Sequence, residues 1–172
     1  AGEFLFHDGA VAPRQWEHRR LALMRAMAAG EVPLLVAAVE GLLQRTLPPE
    51  ELDRAWAELR TGGSYDLNQL AETLTAAGYS RCDQVEGVGQ FALRGGILDV
   101  YSPGMEQPVR AEFFGDELDA MGLFDPATQR RTENVERAVL LPAAEALPHL
   151  APGGTAGLAA RLEKLAAGAE KA

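Results

Sequence analysis

The sequence predicts an α+β unit, a small antiparallel sheet with packed helices, preceded by the later part of an α/β domain. Between Gln90 and Leu141 apolar residues recur with period two and turn residues separate short runs, which is the pattern of an antiparallel meander. Ahead of it, Asp66 to Gly78 reads as a capped amphipathic helix. Further upstream, Leu34-Leu35-Val36-Ala37-Ala38-Val39 is apolar without alternation, as in a strand covered on both faces of a parallel sheet. No strand of similar quality stands beside it in the preceding residues, so the α/β portion reads as incomplete.

Taken in order, Arg14 to Ala29 places Trp16, Leu21, Met24, Met27 and Ala28 near one helical face, with Gly30 as the stop. After the apolar run, a helix-compatible stretch from Glu40 ends at Leu47-Pro48-Pro49, because proline lacks a donor and restricts the residue before it. In the next helix Asp66 is the N-cap, Gln69 stands three residues on, and Leu67, Leu70, Ala71 and Leu74 form the buried stripe. Phe91 to Tyr101 reads as one strand interrupted by a bulge at Gly95-Gly96. Val109 to Phe114 is the next strand, Gly115-Asp116 fits a two-residue hairpin turn, Leu118 to Phe124 pairs back, and Val135 to Leu141 adds a fourth strand. Beyond Pro142 the chain becomes alanine-rich and ends in an amphipathic helix from Thr155 to Ala169. Three regions follow: a partial α/β domain over residues 1–55, an α+β domain over 56–141, and a linker with a helix over 142–172.

Composition narrows the function. With 47% hydrophobic and 24% charged residues the chain buries a core, and a net charge of −9 opposes sequence-independent binding to nucleic acid. Lys164 and Lys171 are the only lysines, so the positive charge is almost all arginine, the side chain suited to bidentate pairing with carboxylates. Cys82 is the sole cysteine, which excludes an intrachain disulfide and a cysteine-held zinc and fits a reducing cytoplasm. The longest apolar run is too short to span a membrane, and no membrane association is expected.

No Gly-Lys-Ser/Thr phosphate loop occurs, so neither ATP hydrolysis nor a cofactor is expected, and the chain reads as non-catalytic. Gly87-Val88-Gly89-Gln90-Phe91-Ala92 matches a dinucleotide fingerprint, but it leads into a strand where the fingerprint opens a helix, and it reads as a turn. His7, His18 and His149 lack ligand spacing, and Asp116, Glu117 and Asp119 read as a solvated hairpin. The informative segment is Val109-Arg110-Ala111-Glu112-Phe113-Phe114. Alternation puts Val109, Ala111 and Phe113 on one face and Arg110, Glu112 and Phe114 on the other, aiming Arg110 at solvent, with Arg94 on the preceding strand able to join them. Two readings of that face stand open: a binding hot spot, because arginine and aromatics dominate interface energies, or a solvated face with Phe114 packed under the terminal helix.

Longer runs carry a resemblance. Gly78-Tyr79-Ser80-Arg81-Cys82-Asp83-Gln84-Val85-Glu86, then Gly89 to Val100 with Arg94-Gly95-Gly96-Ile97-Leu98-Asp99, then Arg110 to Leu118, and Phe124-Asp125-Pro126-Ala127-Thr128-Gln129-Arg130 resemble the UvrB-homology module of the transcription-repair coupling factor (Mfd) family. UvrB shares Phe-Phe-Gly-Asp-Glu, but Thr128-Gln129-Arg130, Leu140-Leu141-Pro142-Ala143 and the lack of a long aromatic hairpin insertion between Leu42 and Pro49 favour the coupling factor. The resemblance implies a fold like UvrB domain 2, preceded by the C-terminal part of a degenerate P-loop helicase-like α/β domain. It implies a docking module that recruits UvrA in transcription-coupled nucleotide excision repair, with Arg94, Arg110, Glu112 and Phe114 at the UvrA-contacting positions. Where UvrB-like sequences often carry a further arginine, this chain has Ala92, which removes that contribution. In the full-length family member an ATP-dependent DNA translocase, RNA polymerase binding and double-stranded DNA binding are implied for domains outside this chain. The alternative is a UvrB-like DNA-handling module of the excision machinery.

Overall fold

Arg14 to Gly30 folds as its spacing predicts, into helix α1 (Gln15–Ala28), and Gly30 leaves it at a φ of 72°. The computed structural model describes residues 14–43 and 55–169, together with positions 46, 48, 50 and 52. The face that α1 buries is not the expected apolar stripe. Leu21 is fully buried, but Trp16 and Met27 are 65% and 45% exposed. Polar side chains at helical spacing hold the helix instead. Arg14 Nη1 donates to Gly78 O at 3.1 Å, Glu17 Oε1 accepts from Glu145 N at 2.6 Å, and Arg25 lies over the Trp56 ring at 5.1 Å. Arg20 pairs with Glu145 at 3.0 Å, and buried His18 donates from Nε2 to Ala143 O at 3.0 Å.

Burial lowers the His18 pKa, against the raising effects of the Ala143 carbonyl and Glu17, while Arg14 lowers it further. Below the unfolded histidine pKa of about 6.5 the unfolded chain takes up the proton first, so stability is full above that pH and falls as the pH drops towards the folded value. The thermal midpoint is expected to decline between pH 7 and pH 5. His18→Gln, measured over the same range, is expected to show a shallower decline.

Leu34 to Ala38 does not form the predicted strand. The segment is irregular, helix α2 (Val39–Leu43) begins immediately after it, at the last residue of the apolar run, and Leu34 and Val36 are 79% and 88% exposed. A parallel strand exists only with neighbours to bond to, and the described residues supply none here. The α/β portion expected over residues 1–55 therefore has no sheet among the described residues; residues 1–13, and most of the stretch from Gln44 to Arg54 where the helix from Glu40 was to end, lie outside them.

From Trp56 onward the sheet pattern dominates. Strand β1 (Ala57–Arg60) pairs antiparallel with β8 (Arg137–Leu140), Ala57 opposite Leu140 and Arg60 opposite Arg137. The segment Val135 to Leu141 thus supplies a strand, but of this separate pair and not of the main sheet. The main sheet has six strands in chain order: β2 (Ser80–Arg81), β3 (Gln90–Arg94), β4 (Ile97–Tyr101), β5 (Val109–Phe114), β6 (Glu117–Phe124) and β7 (Arg131–Asn134). Only β2–β3 is parallel. The expected single strand from Phe91 to Tyr101 is a hairpin, with Arg94 opposite Ile97 and Gly95-Gly96 as its turn. Gly95 takes a φ of 58°, which favours glycine, and a Cβ on Gly96 would meet Phe113 O at 2.7 Å, which requires it. Gly87-Val88-Gly89 is a turn leading into β3, and Gly115-Asp116 closes the β5–β6 hairpin.

Helix α3 (Leu67–Ala76) has the predicted cap, Asp66 Oδ1 accepting from Asn68 N at 2.8 Å and Gln69 N at 3.1 Å. It buries Leu70 and Leu74 in the main core with Leu59, Tyr79, Phe91, Leu98, Val100, Val109, Ala111 and Leu140. A second, smaller cluster of Val85, Ala92 and Phe124, with Cys82 and Tyr101, lies apart from that core. The chain then passes a short 3-10 helix (Pro148–Leu150) into helix α4 (Gly154–Ala169), which buries no residue and leaves Leu162 and Leu165 exposed. No helix among the described residues is long and apolar enough to cross a membrane.

Candidate functional site

The β3–β4–β5–β6 register sets the site. Ala92 stands opposite Asp99, Asp99 opposite Arg110, and Arg110 opposite Gly122; one row along, Arg94 stands opposite Ile97 and Ile97 opposite Glu112. Because alternate residues share a face, Arg94, Asp99, Arg110, Glu112 and Phe114 all project away from the main core.

At the centre is Asp99, which has no solvent exposure. Its Oδ1 accepts from Arg110 Nε at 2.7 Å, and its Oδ2 accepts from Arg110 Nη2 at 2.8 Å and from Arg94 Nη2 at 2.9 Å. The Arg110 pair is bidentate, the strong geometry for guanidinium and carboxylate. Arg110 also lies over the Phe124 ring, 4.6 Å from its centroid, and its Nη1 and Nη2 approach the backbone and side-chain oxygens of Gln129 at 3.4 Å. Its bonds to the Asp99 carboxylate raise its pKa above the ordinary value against the opposing effect of burial, so the guanidinium stays charged.

The Arg110 side chain is therefore not aimed freely at solvent, as alternation suggested. It is only 20% exposed, against 53% for Arg94. The reason is the register: alternation fixes the face, and the neighbouring strand places a carboxylate beneath the guanidinium. On the other side of Arg110 stands Gly122, where a Cβ would meet Arg131 Nε at 2.6 Å and Glu133 O at 2.7 Å, so the missing side chain makes room for Arg131.

Glu112 accepts from Arg131 Nη2 at 2.9 Å and remains half-exposed. Phe114, at the end of β5, is 86% exposed, so it does not pack under α4. Gly96, Ile97, Glu112, Phe113, Phe114 and Asp119 line a shallow depression of about 320 Å³ beside it. The structure thus joins Arg94 and Arg110 through Asp99 and sets Glu112 and Phe114 along the same face. The sequence reading missed Asp99, Phe124 and Gln129. Asp99 carried a signal, a lone acid in the apolar run Ile97-Leu98-Asp99-Val100 on the alternation of the outer face. Gln129 stands in the Thr128-Gln129-Arg130 run that carries the resemblance, but nothing in the sequence places it beside Arg110. It is the one non-glycine residue of positive φ among the described residues, at 61°, fixed by Nε2 bonds to Pro126 O at 2.8 Å and Val85 O at 3.2 Å.

The chain is similar to known proteins. The UvrB interaction domain family matches residues 57–145. The transcription-repair-coupling factor of Bacillus subtilis (strain 168) is 35% identical over 98% of this chain, that of Myxococcus xanthus 39% over 67%, and that of Escherichia coli (strain K12) 36% over 73%. The chain spans 15%, 10% and 11% of the length of these relatives.

Proposed function

The chain belongs to the UvrB interaction domain family, and from that premise we propose that it is a non-catalytic docking module of a transcription-repair coupling factor, which recruits UvrA through the face of Arg94, Arg110, Glu112 and Phe114. The observation that carries this reading is Phe114, an aromatic 86% exposed on the same sheet face as two arginines already ordered by a buried carboxylate. A large apolar side chain left in water beside oriented charges suits a partner surface, because such residues supply most of the energy of an interface. The net charge of −9 and the pairing of Arg110 with Asp99 count against the DNA-handling alternative, which needs arginines free for phosphates. In the full-length protein, the translocase activity and the contacts to RNA polymerase and double-stranded DNA belong to parts outside this chain.

Titration of the labelled chain with purified UvrA tests the proposal, with duplex DNA at several salt concentrations as the contrast. Saturable binding to UvrA is expected, and none to the duplex. Phe114→Ala is expected to weaken UvrA binding about thirtyfold, the effect of losing a contact of about 2 kcal/mol. Its stability is expected to change by no more than about 0.5 kcal/mol, since the ring makes little contact within the fold. Tight, salt-sensitive duplex binding without UvrA affinity would favour the DNA-handling reading instead.

A further inference from the structure

Asp99 is the one fully buried carboxylate among the described residues, and all three of its hydrogen bonds come from arginine side chains. A buried charge in a sheet is a net cost to folding unless its partners compensate it, and an apolar residue of similar size often stabilises the same place more. Its apolar surroundings make the point sharper. Ala92 stands opposite on β3, the Phe124 ring is stacked on the same guanidinium, and Val85 completes that cluster. What the carboxylate accomplishes is visible in its partners. Asp99 engages both Nε and Nη2 of Arg110 and only Nη2 of Arg94, which leaves the rest of the half-exposed Arg94 guanidinium facing outward beside Ile97, itself 38% exposed.

Building on the docking reading above, we infer that Asp99 is a positioning residue of that face: it fixes Arg110 as a platform and orients Arg94 to receive a carboxylate of UvrA. Two guanidiniums and one carboxylate leave a single net positive charge, which a partner carboxylate completes. The rotamer freedom of both arginines is lost on folding rather than on binding, so less is lost when the partner docks. Arg94 makes the direct contact. Arg110 acts largely through Asp99, and the neighbouring Phe114 and Ile97 supply apolar contact.

The experiment measures UvrA affinity of the wild-type chain, Asp99→Asn, Arg94→Ala and the double variant, with backbone NMR spectra to establish that each is folded. Folded Asp99→Asn is expected to bind at least about tenfold more weakly than wild type. Arg94→Ala is expected to cost about tenfold or more in the wild-type background and about threefold or less in the Asp99→Asn background, because an arginine that is no longer oriented has less to lose. A role confined to holding the sheet together predicts unchanged affinity in the folded variant, or the same Arg94→Ala cost in both backgrounds, and either result overturns the inference. Should Asp99→Asn not fold, arginine side-chain NMR of the wild-type chain decides. Slow exchange of the Arg110 Nε–H and hindered rotation of both guanidiniums are expected, and free rotation of both overturns the inference. Absence of UvrA binding by the wild-type chain overturns the docking reading itself, and this inference with it.

Discussion

Phe124→Ala is expected to cost about 3–5 kcal/mol of stability, the usual range for removing a buried aromatic ring, and to weaken UvrA binding at the same time. The ring has no solvent exposure and forms the second cluster with Val85 and Ala92. It also supports the Arg110 guanidinium at 4.6 Å, so its loss leaves a cavity under a charge held for docking. For a chain of this size the thermal midpoint is expected to fall by about 10 °C or more. Leu74→Ala provides the contrast, because Leu74 is 2% exposed but belongs to the main core on the opposite side of the sheet. A stability loss of about 2–5 kcal/mol is expected there as well, with UvrA affinity retained wherever the protein remains folded. If both variants lose affinity in proportion to stability, Phe124 supports only the fold and not the docking face.

The contrast between these two sides of the sheet also explains what the sequence disclosed. Helix α3 was legible because its signals are local: Asp66 caps its own following amides, and the leucine spacing falls within a few turns. The Gly115-Asp116 hairpin was legible for the same reason. The shared face of Arg110, Glu112 and Phe114 followed from alternation alone. The partnership of Arg110 with Asp99 did not, because it depends on how β4 and β5 align, and the connection from Ser102 to Pro108 sets that register. Gly95-Gly96 fits a bulge and a turn equally well by composition, and pairing of Phe91 with Val100 decides for the turn. The apolar run from Leu34 misled because composition does not say whether a neighbouring strand is present. On α1, polar contacts from Glu17, His18 and Arg20 outweighed the apolar stripe as the means of attachment.

Arg110→Ala is expected to lose UvrA binding and stability together, in place of the clean loss of binding that an arginine aimed at solvent would give. Breaking a buried ion pair from one side costs about 3–5 kcal/mol when the remaining charge has no other partner. Asp99 keeps Arg94 at 2.9 Å, so the lower part of that range or slightly below it, about 2–3 kcal/mol, is expected. That corresponds to a thermal midpoint lower by roughly 5–10 °C. Loss of the platform that holds Asp99, and through it orients Arg94, is expected to reduce UvrA affinity by about thirtyfold or more, measured at a temperature where the variant is folded. Arg94→Ala separates the two effects. Its side chain is 53% exposed and holds Asp99 through Nη2 alone, while the bidentate Arg110 pair survives the substitution, so the midpoint is expected to move far less than in Arg110→Ala. Affinity is nevertheless expected to fall by about tenfold or more, because Arg94 is the guanidinium still open to a partner carboxylate. If folded Arg94→Ala and folded Arg110→Ala both bind UvrA like the wild type, the docking face lies elsewhere on the molecule.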